Sequence, residues 1–396
     1  MATPDLSDPP DPLDPRGLTR RQFLAAALLA PAFSQTSDER FLSTVPLGHT
    51  RGTGAPLERL LGRGLNARLF TDLATIANDD PRSQVISNER FFVRTAAPSR
   101  LPRDVDANAW TIDAGGLVRA PAQIRVASLE AFGTRSGRYL LECSGNTDPA
   151  NYGLLSAAGW EGVPLPALLD RVRPSSNRWR VLVSGLDDER DPAGTSVPGA
   201  SWIFSRDDLE RALLVTSMNG APLPRDHGSP VRLSVPGWYG CACIKWVTGV
   251  ELVAEDAPAT SQMLEFAART HQSGKPPLAR DFIPAIIDTA AMPVRVEKWA
   301  ARGRVFYRVV GIVWGGTSPS GPTNALSIRF RSNLPWTRVE DCPLPASTDT
   351  WSVWTHTWRP ESPGRYTIVL RVDDKRIRTR RLDLFFYARD VQIDEV

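Results

Sequence analysis

The run Leu140-Leu141-Glu142-Cys143-Ser144-Gly145-Asn146 sets a single cysteine where an apolar strand gives way to a Gly-Asn loop. A thiolate so placed can point from a rigid strand into a cleft. Soft sulfur suits a metal that changes oxidation state, and Gly145 lets backbone approach a bulky cofactor. Taken alone, packing in a core is the commoner fate of a cysteine, and that alternative stays open for Cys143.

A second concentration of chemistry is Met-Asn-Gly-Ala-Pro-Leu-Pro-Arg-Asp-His-Gly-Ser-Pro-Val-Arg-Leu-Ser-Val-Pro-Gly-Trp-Tyr-Gly-Cys-Ala-Cys-Ile-Lys-Trp, residues 218–246. Gly220, Gly228, Gly237 and Gly240 permit tight turns. His227, Arg232 and Lys245 offer hydrogen-bond donors that suit a phosphate. Arg232 alternates with Val231 and Leu233, so it points away from their face, to solvent or to a ligand. The plain alternative is a surface arginine beside a turn histidine. Cys241-Ala242-Cys243 has the spacing of a metal or redox pair, but C-x-C is a weak signal and structural thiols are the commoner outcome. His49, His271 and His356 lack a partner spacing and receive no role. Trp160, Trp238, Tyr239, Trp351, Trp354 and Trp358 can rim a pocket, or fill cores as tryptophans usually do.

These residues need elements to position them. Strand-like runs at Tyr139-Leu140-Leu141, Val181-Leu182-Val183 and Val231 to Val235 alternate with short helical patterns from Phe91 to about Glu255. Leu165, Leu168, Leu169 and Val172 carry one helix, with Pro164 and Pro166 tolerated in its first turn. Ser205-Arg206-Asp207-Asp208 opens another, with an acidic residue three positions after the serine. Leu57, Leu60, Leu61 and Leu65 have helical spacing within an N-terminal extension, residues 35–85. Residues 86–256 therefore read as a mixed α/β catalytic domain. A proline-punctuated connector follows at 257–290, with a short helix near Met263 to Ala268. After Pro293 the period becomes two: Tyr366, Ile368, Leu370 and Val372 share one strand face, and similar runs occur at Val305 to Val313 and Leu326 to Phe330. Residues 291–396 read as a small immunoglobulin-like β-sandwich, and the fold class as α+β.

Size and charge bound the function. A chain of 396 residues is longer than one core usually organises. Its 47 basic and 44 acidic side chains leave +3, which argues against nucleic acid or anionic lipid as a partner. Four cysteines are too few for a disulfide scaffold, and none forms a C-x-x-C-H haem motif. Near the start, Thr19-Arg20-Arg21-Gln22-Phe23-Leu24 leads into the apolar run Ala25 to Ala30 and then Pro31-Ala32-Phe33-Ser34. Residues 1–34 resemble a twin-arginine export signal, an address used by proteins that fold around a cofactor before export. The apolar run is shorter than the roughly 20 residues that span a bilayer, and a soluble periplasmic protein is expected.

Together, the cysteine loop and the long block resemble the sulfite oxidase family of molybdopterin-dependent oxidoreductases. The block matches M-N-G-x-P-L-x-x-D-H-G-x-P-x-R-x-x-V-P-G-x-x-G-x-x-x-[IV]-K-W, which is highly specific. Similarity extends to Asn88-Glu89-Arg90-Phe91-Phe92-Val93-Arg94, to Gly159-Trp160-Glu161-Gly162-Val163-Pro164-Leu165, to Gly185-Leu186-Asp187 and to the terminal sandwich. By this resemblance Cys143 is the molybdenum ligand, one metal per chain. Phe92, Val93, Arg94, Asp187, His227, Arg232, Cys243, Ile244 and Lys245 hold the pterin and its phosphate, and Arg94 also serves the substrate pocket.

The resemblance implies two-electron oxo transfer, an external electron carrier such as a cytochrome, and homodimerisation through the sandwich. No haem or flavin segment is apparent in the sequence. The substrate pocket departs from the family. Thr147-Asp148 stands where arginines are expected, Pro198 where a tyrosine is expected, and the segment 351–358 lacks an expected arginine. Asp148 would repel sulfite. The expected function is therefore oxo transfer on a small sulfur compound. The alternatives are a sulfoxide-type reductase with the same cofactor, or a non-enzymatic secreted binding protein with a vestigial site.

Overall fold

The computed structural model describes residues 38–49, 60–61, 66–76, 85–96, 101, 104–146, 153–175, 177–186, 200–316, 325–343, 349–384 and 387–396. The export-signal segment, Thr147-Asp148, Asp187 and Pro198 lie outside them. Among the described residues no helix is long and apolar enough to cross a membrane.

Sheet dominates, so the expected α+β balance is corrected toward β: the described α-helices are Leu165–Val172 and Ser261–Phe266. The first forms where the spacing predicts it. Leu165, Leu168, Leu169 and Val172 all face the core, Pro166 sits in the first turn where no intrahelical N–H is required, and Arg173 leaves the helix at φ 52°. The segment at Ser205 makes only a 3-10 turn, Asp207–Leu209. Its capping exchange is nevertheless present, with Ser205 N donating to Asp208 Oδ2 at 2.8 Å and Asp208 N donating to Ser205 Oγ at 3.3 Å. Near Leu60 the helical spacing misleads. Leu60–Leu61 is a strand paired antiparallel with Asn66–Leu69, which pairs in turn with Val93–Ala96. Two adjacent leucines satisfy either period, and strand pairing decides.

Two five-stranded sheets build the central part. One runs Ser201–Phe204, Arg180–Gly185, Val247–Val253, Thr111–Gly116, Ala122–Arg125, with its single parallel pairing between Val247–Val253 and Thr111–Gly116. The other runs Ala221–Pro222, Leu213–Met218, Leu155–Pro164, Arg135–Glu142, and Arg232–Ser234 also pairs with Leu213–Met218. In this second sheet Arg135–Glu142 pairs along its whole length with Leu155–Pro164, ending at Glu142 opposite Leu155. Cys143 is thus the first residue past the ladder.

The C-terminal part is two facing sheets. Glu39–Val45, Ala290–Ala301, Arg304–Trp314 and Ser352–Trp358 form one, and Thr337–Arg338, Leu326–Arg329, Gly364–Val372, Arg389–Ile393 and Leu47–His49 form the other. The alternation read from sequence holds for Tyr366, Ile368 and Leu370, which are buried, with Arg371 exposed and Val372 at the strand end half-buried. Phe330 and Trp358 stack across the sheets at 4.1 Å, and Tyr366 meets Trp358 edge-on at 4.7 Å. The N-terminal segment crosses from the edge of one sheet to the edge of the other. The six aromatics at 160, 238, 239, 351, 354 and 358 are all buried and pack in the core, and Trp160 also lines a shallow cavity beside Arg138 and Glu161.

Candidate active site

Cys143 is held by backbone on both sides. Its N–H donates to Leu154 O at 3.0 Å, and Asn146 N–H closes a turn back to Cys143 O at 2.9 Å. Asn146 fixes the loop further: its Oδ1 accepts from Leu154 N at 3.0 Å and its Nδ2 donates to Glu142 at 3.0 Å. The sulfur accepts from Gly145 N–H at 3.4 Å. Burial pushes the Cys143 thiol up, while the Gly145 N–H, Arg94 and Arg269 act the other way and favour the thiolate.

Arg94 is thus near enough to act on the thiol through its charge. Arg269 is too, and sequence reasoning missed it. A side chain on Gly145 would sit 3.7 Å from the sulfur and 4.0 Å from the Arg269 guanidinium. Arg269 lies in the 3-10 turn Ala267–Thr270 that continues the connector helix. An isolated arginine in a connector carries no spacing signal. The positive charge that the sequence lacks at 147–148 is partly supplied from there.

The 218–246 block reaches the cysteine loop directly. Gly240 N–H donates to Glu142 O at 2.7 Å. Burial raises the pKa of both Cys241 and Cys243, as befits structural thiols. Among the described residues no three metal-ligating side chains gather, so a metal here would depend on Cys143 and on sulfur from a cofactor.

His227, Arg232 and Lys245 do converge. Arg232 is almost fully buried, which excludes the surface alternative, and lies over the Trp160 ring at 5.3 Å. It donates to the carbonyls of His227 at 3.0 Å and Cys243 at 3.2 Å. Among the described residues no carboxylate pairs with it. Lys245 Nζ reaches the carbonyls of Arg94, at 3.4 Å, and Asp226. Gly228, at φ +109°, is wedged between Arg232 and Lys245, where an added Cβ would stand 3.1 Å from each Cβ. The Asn88–Arg94 segment closes over them: Asn88 O lies 3.3 Å from His227 Nε2, and the Phe91 ring meets the imidazole edge-on at 5.2 Å. Asn219 ties this segment to the long block through Asn88 Oδ1 at 2.9 Å. Phe92 stacks on Phe91, its N–H held by Ser156 at 3.1 Å, and Val93 and Ile244 are buried beside this cluster. A buried Arg232 bound through carbonyls, with Lys245 and the neutral His227 beside it, fits a phosphate-bearing group.

Burial, then Lys245 and Arg232, push His227 down to about 3. The unfolded chain therefore takes up a proton near pH 6.5 that the folded cofactor-free protein refuses until about pH 3. The stability tied to neutral His227 is complete above pH 6.5 and is lost progressively as pH falls toward 3. The expected slope across that window is up to about 1.4 kcal/mol per pH unit. Denaturant unfolding of His227→Gln in cofactor-free form should lack this slope. An unchanged acid limb would show that other groups set it.

Residues 99–261 match the family described as the oxidoreductase molybdopterin binding domain. The chain is 27% identical over 266 residues to mitochondrial sulfite oxidase of Mus musculus, covering 59% of this chain and 48% of that one. It is 28% identical over 172 residues to the protein-methionine-sulfoxide reductase catalytic subunit MsrP of Xanthomonas axonopodis pv. citri, covering 41% and 51%. The chain thus spans about half the length of these relatives. The solved sulfane dehydrogenase SoxCD of Paracoccus pantotrophus shares the fold over the full length of both chains, with a TM-score of 0.61 and 16% identity. A molybdopterin-binding oxidoreductase is the class these matches define. Over these residues the chain resembles the sulfite oxidase family of molybdopterin-dependent oxidoreductases.

Proposed function

We propose that Cys143 is the thiolate ligand of one molybdopterin-bound molybdenum per chain, and that the protein performs two-electron oxo transfer on a small sulfur compound. The observation that carries this reading is the convergence of Arg94 and Arg269 on the Cys143 sulfur, at the loop to which the 218–246 block is hydrogen-bonded. When bound, the molybdenum–pterin group supplies the exchange of an oxygen atom and two electrons with the substrate. Cys143 contributes a soft donor on a rigid strand end. Arg94 and Arg269 favour its thiolate against the burial that opposes ionisation, and draw an oxyanion or polarised S–O group toward it. Arg232 and Lys245 hold the phosphate, His227 offers a neutral ring nitrogen, and Phe92, Val93, Cys243 and Ile244 supply backbone and packing. Asp187 joins them by resemblance. Phe91 and Trp160 exclude water, which strengthens each of these charges.

The remaining parts of the proposal concern its setting. The protein is exported by the twin-arginine route to the periplasm, and an external cytochrome exchanges its electrons. The C-terminal sandwich serves as an immunoglobulin-like dimerisation domain.

Elemental and pterin analysis of the exported protein tests the cofactor, and protein without stoichiometric molybdenum ends the proposal. Mixing oxidised enzyme with sulfite and other reduced sulfur compounds tests direction. Reduction of the metal by one of them is the expected result. A sulfoxide reductase is the second reading, favoured by the likeness to the methionine-sulfoxide reductase subunit. Reoxidation of dithionite-reduced enzyme by sulfoxides, without the forward reaction, selects it. Arg269→Ala should raise KM for an anionic substrate about 10- to 100-fold with molybdenum retained, the scale of one charge-assisted hydrogen bond. Steady-state kinetics checks this, and an unchanged KM removes Arg269 from the substrate pocket.

A further inference from the structure

Glu142 is fully buried beside the candidate ligand and centres a network that the proposed chemistry does not use. Its carboxylate accepts from Arg380 at 2.6 Å and 2.7 Å, from Trp314 Nε1 at 2.9 Å and from Asn146 Nδ2 at 3.0 Å. Those donors fill the acceptor capacity of a carboxylate. Arg380 donates in addition to the hydroxyls of Tyr387 at 2.8 Å and Tyr239 at 2.9 Å. Trp314, Arg380 and Tyr387 belong to the C-terminal part, Asn146 to the cysteine loop and Tyr239 to the 218–246 block. One carboxylate thus joins all three.

Stability alone is a poor reason for such a hub, because a buried ion pair often gains nothing over apolar residues of the same volume. This one even leaves Arg380 Nε buried without an acceptor among the described residues. Position offers a better reason. Glu142 precedes Cys143 in the chain, and its bond to Asn146 closes the loop on the other side, so the same carboxylate pins both flanks of the thiol. Charge offers another. An unpaired carboxylate next to Cys143 opposes a thiolate, and the Arg380 guanidinium cancels that charge while leaving the hydrogen bonds in place.

We propose that Arg380 is a positioning residue for Cys143: its bidentate pair with Glu142 fixes the orientation of the metal-binding thiolate and neutralises the carboxylate beside it, so the C-terminal part completes the ligand geometry. This rests on Cys143 as the molybdenum ligand. The test uses the purified holoenzyme, comparing wild type with Arg380→Lys, which keeps the charge and loses the planar fork. Molybdenum content, thermal unfolding and the electron paramagnetic resonance spectrum of the half-reduced metal are measured together.

Arg380→Lys should retain molybdenum within about tenfold of wild type, the lesser end of effects seen for groups that orient a ligand. Its g-values should be displaced. A lowered melting temperature with a wild-type spectrum would overturn the proposal, because a purely structural pair moves the first and not the second. Should the lysine variant fail to fold, Tyr387→Phe and Tyr239→Phe loosen the guanidinium while keeping both charges. A displaced spectrum in either supports the proposal, and wild-type spectra in both overturn it. Wild-type protein without molybdenum would refute the functional reading instead, before any variant is compared.

Discussion

Cys143→Ser is expected to abolish turnover, by at least about a thousandfold or 4 kcal/mol of barrier, while the protein stays folded. An alcohol is a harder donor than a thiol and ionises far less readily, so it serves poorly a metal that must change oxidation state. The fold tolerates the change because the loop is held by backbone. The bonds from Cys143 N to Leu154 O and from Asn146 N to Cys143 O do not involve the side chain. The sulfur itself accepts one long bond from Gly145 N–H. A stability change within about 1 kcal/mol should follow, in the range of substitutions that break no network. Molybdenum content, turnover and thermal unfolding of the same preparation check the three parts. Wild-type turnover in the serine variant would remove Cys143 as ligand.

Glu142→Ala should have the largest effect on stability, a loss of about 3–5 kcal/mol. It strips the acceptor from a buried guanidinium and simultaneously from Trp314 Nε1 and Asn146 Nδ2. The Tyr387 and Tyr239 hydroxyls remain near Arg380 but carry no charge to balance it. Denaturant unfolding measures the loss. Pairing the change with Arg380→Met should recover part of it, because the second substitution removes the charge that the first leaves uncompensated. A single-variant loss below about 1 kcal/mol, the scale of an exposed pair, would mean that water reaches the site in solution.

Much of the local structure was legible in the residues. The helix at Leu165 and the strands at Arg135–Glu142 and Gly364–Val372 follow from apolar spacing, and each is where that spacing predicts it. The capping exchange at Ser205 was also legible, although the element it begins lasts one 3-10 turn. Near Leu60 the same kind of reasoning failed because short leucine pairs satisfy both periods. Tryptophan identity signals bulk without saying which side of a wall it lies on. Trp160, Trp238 and the tryptophans of 351–358 proved to be core.

The site divides in the same way. A thiol at the end of an apolar strand, followed by a Gly-Asn loop, and a glycine-punctuated block with His227, Arg232 and Lys245 are local facts, and residue type and spacing determined them. What charge surrounds the thiol was not local. Thr147-Asp148 in the sequence suggested an electronegative setting, whereas Arg269 arrives from the connector and Arg380 from the C-terminal part to neutralise Glu142. Electrostatic interactions act through space, over distances set by the packing of segments remote along the chain. The sequence by itself therefore determined which chemistry could occur at Cys143, and only the tertiary structure decided which charges that chemistry meets.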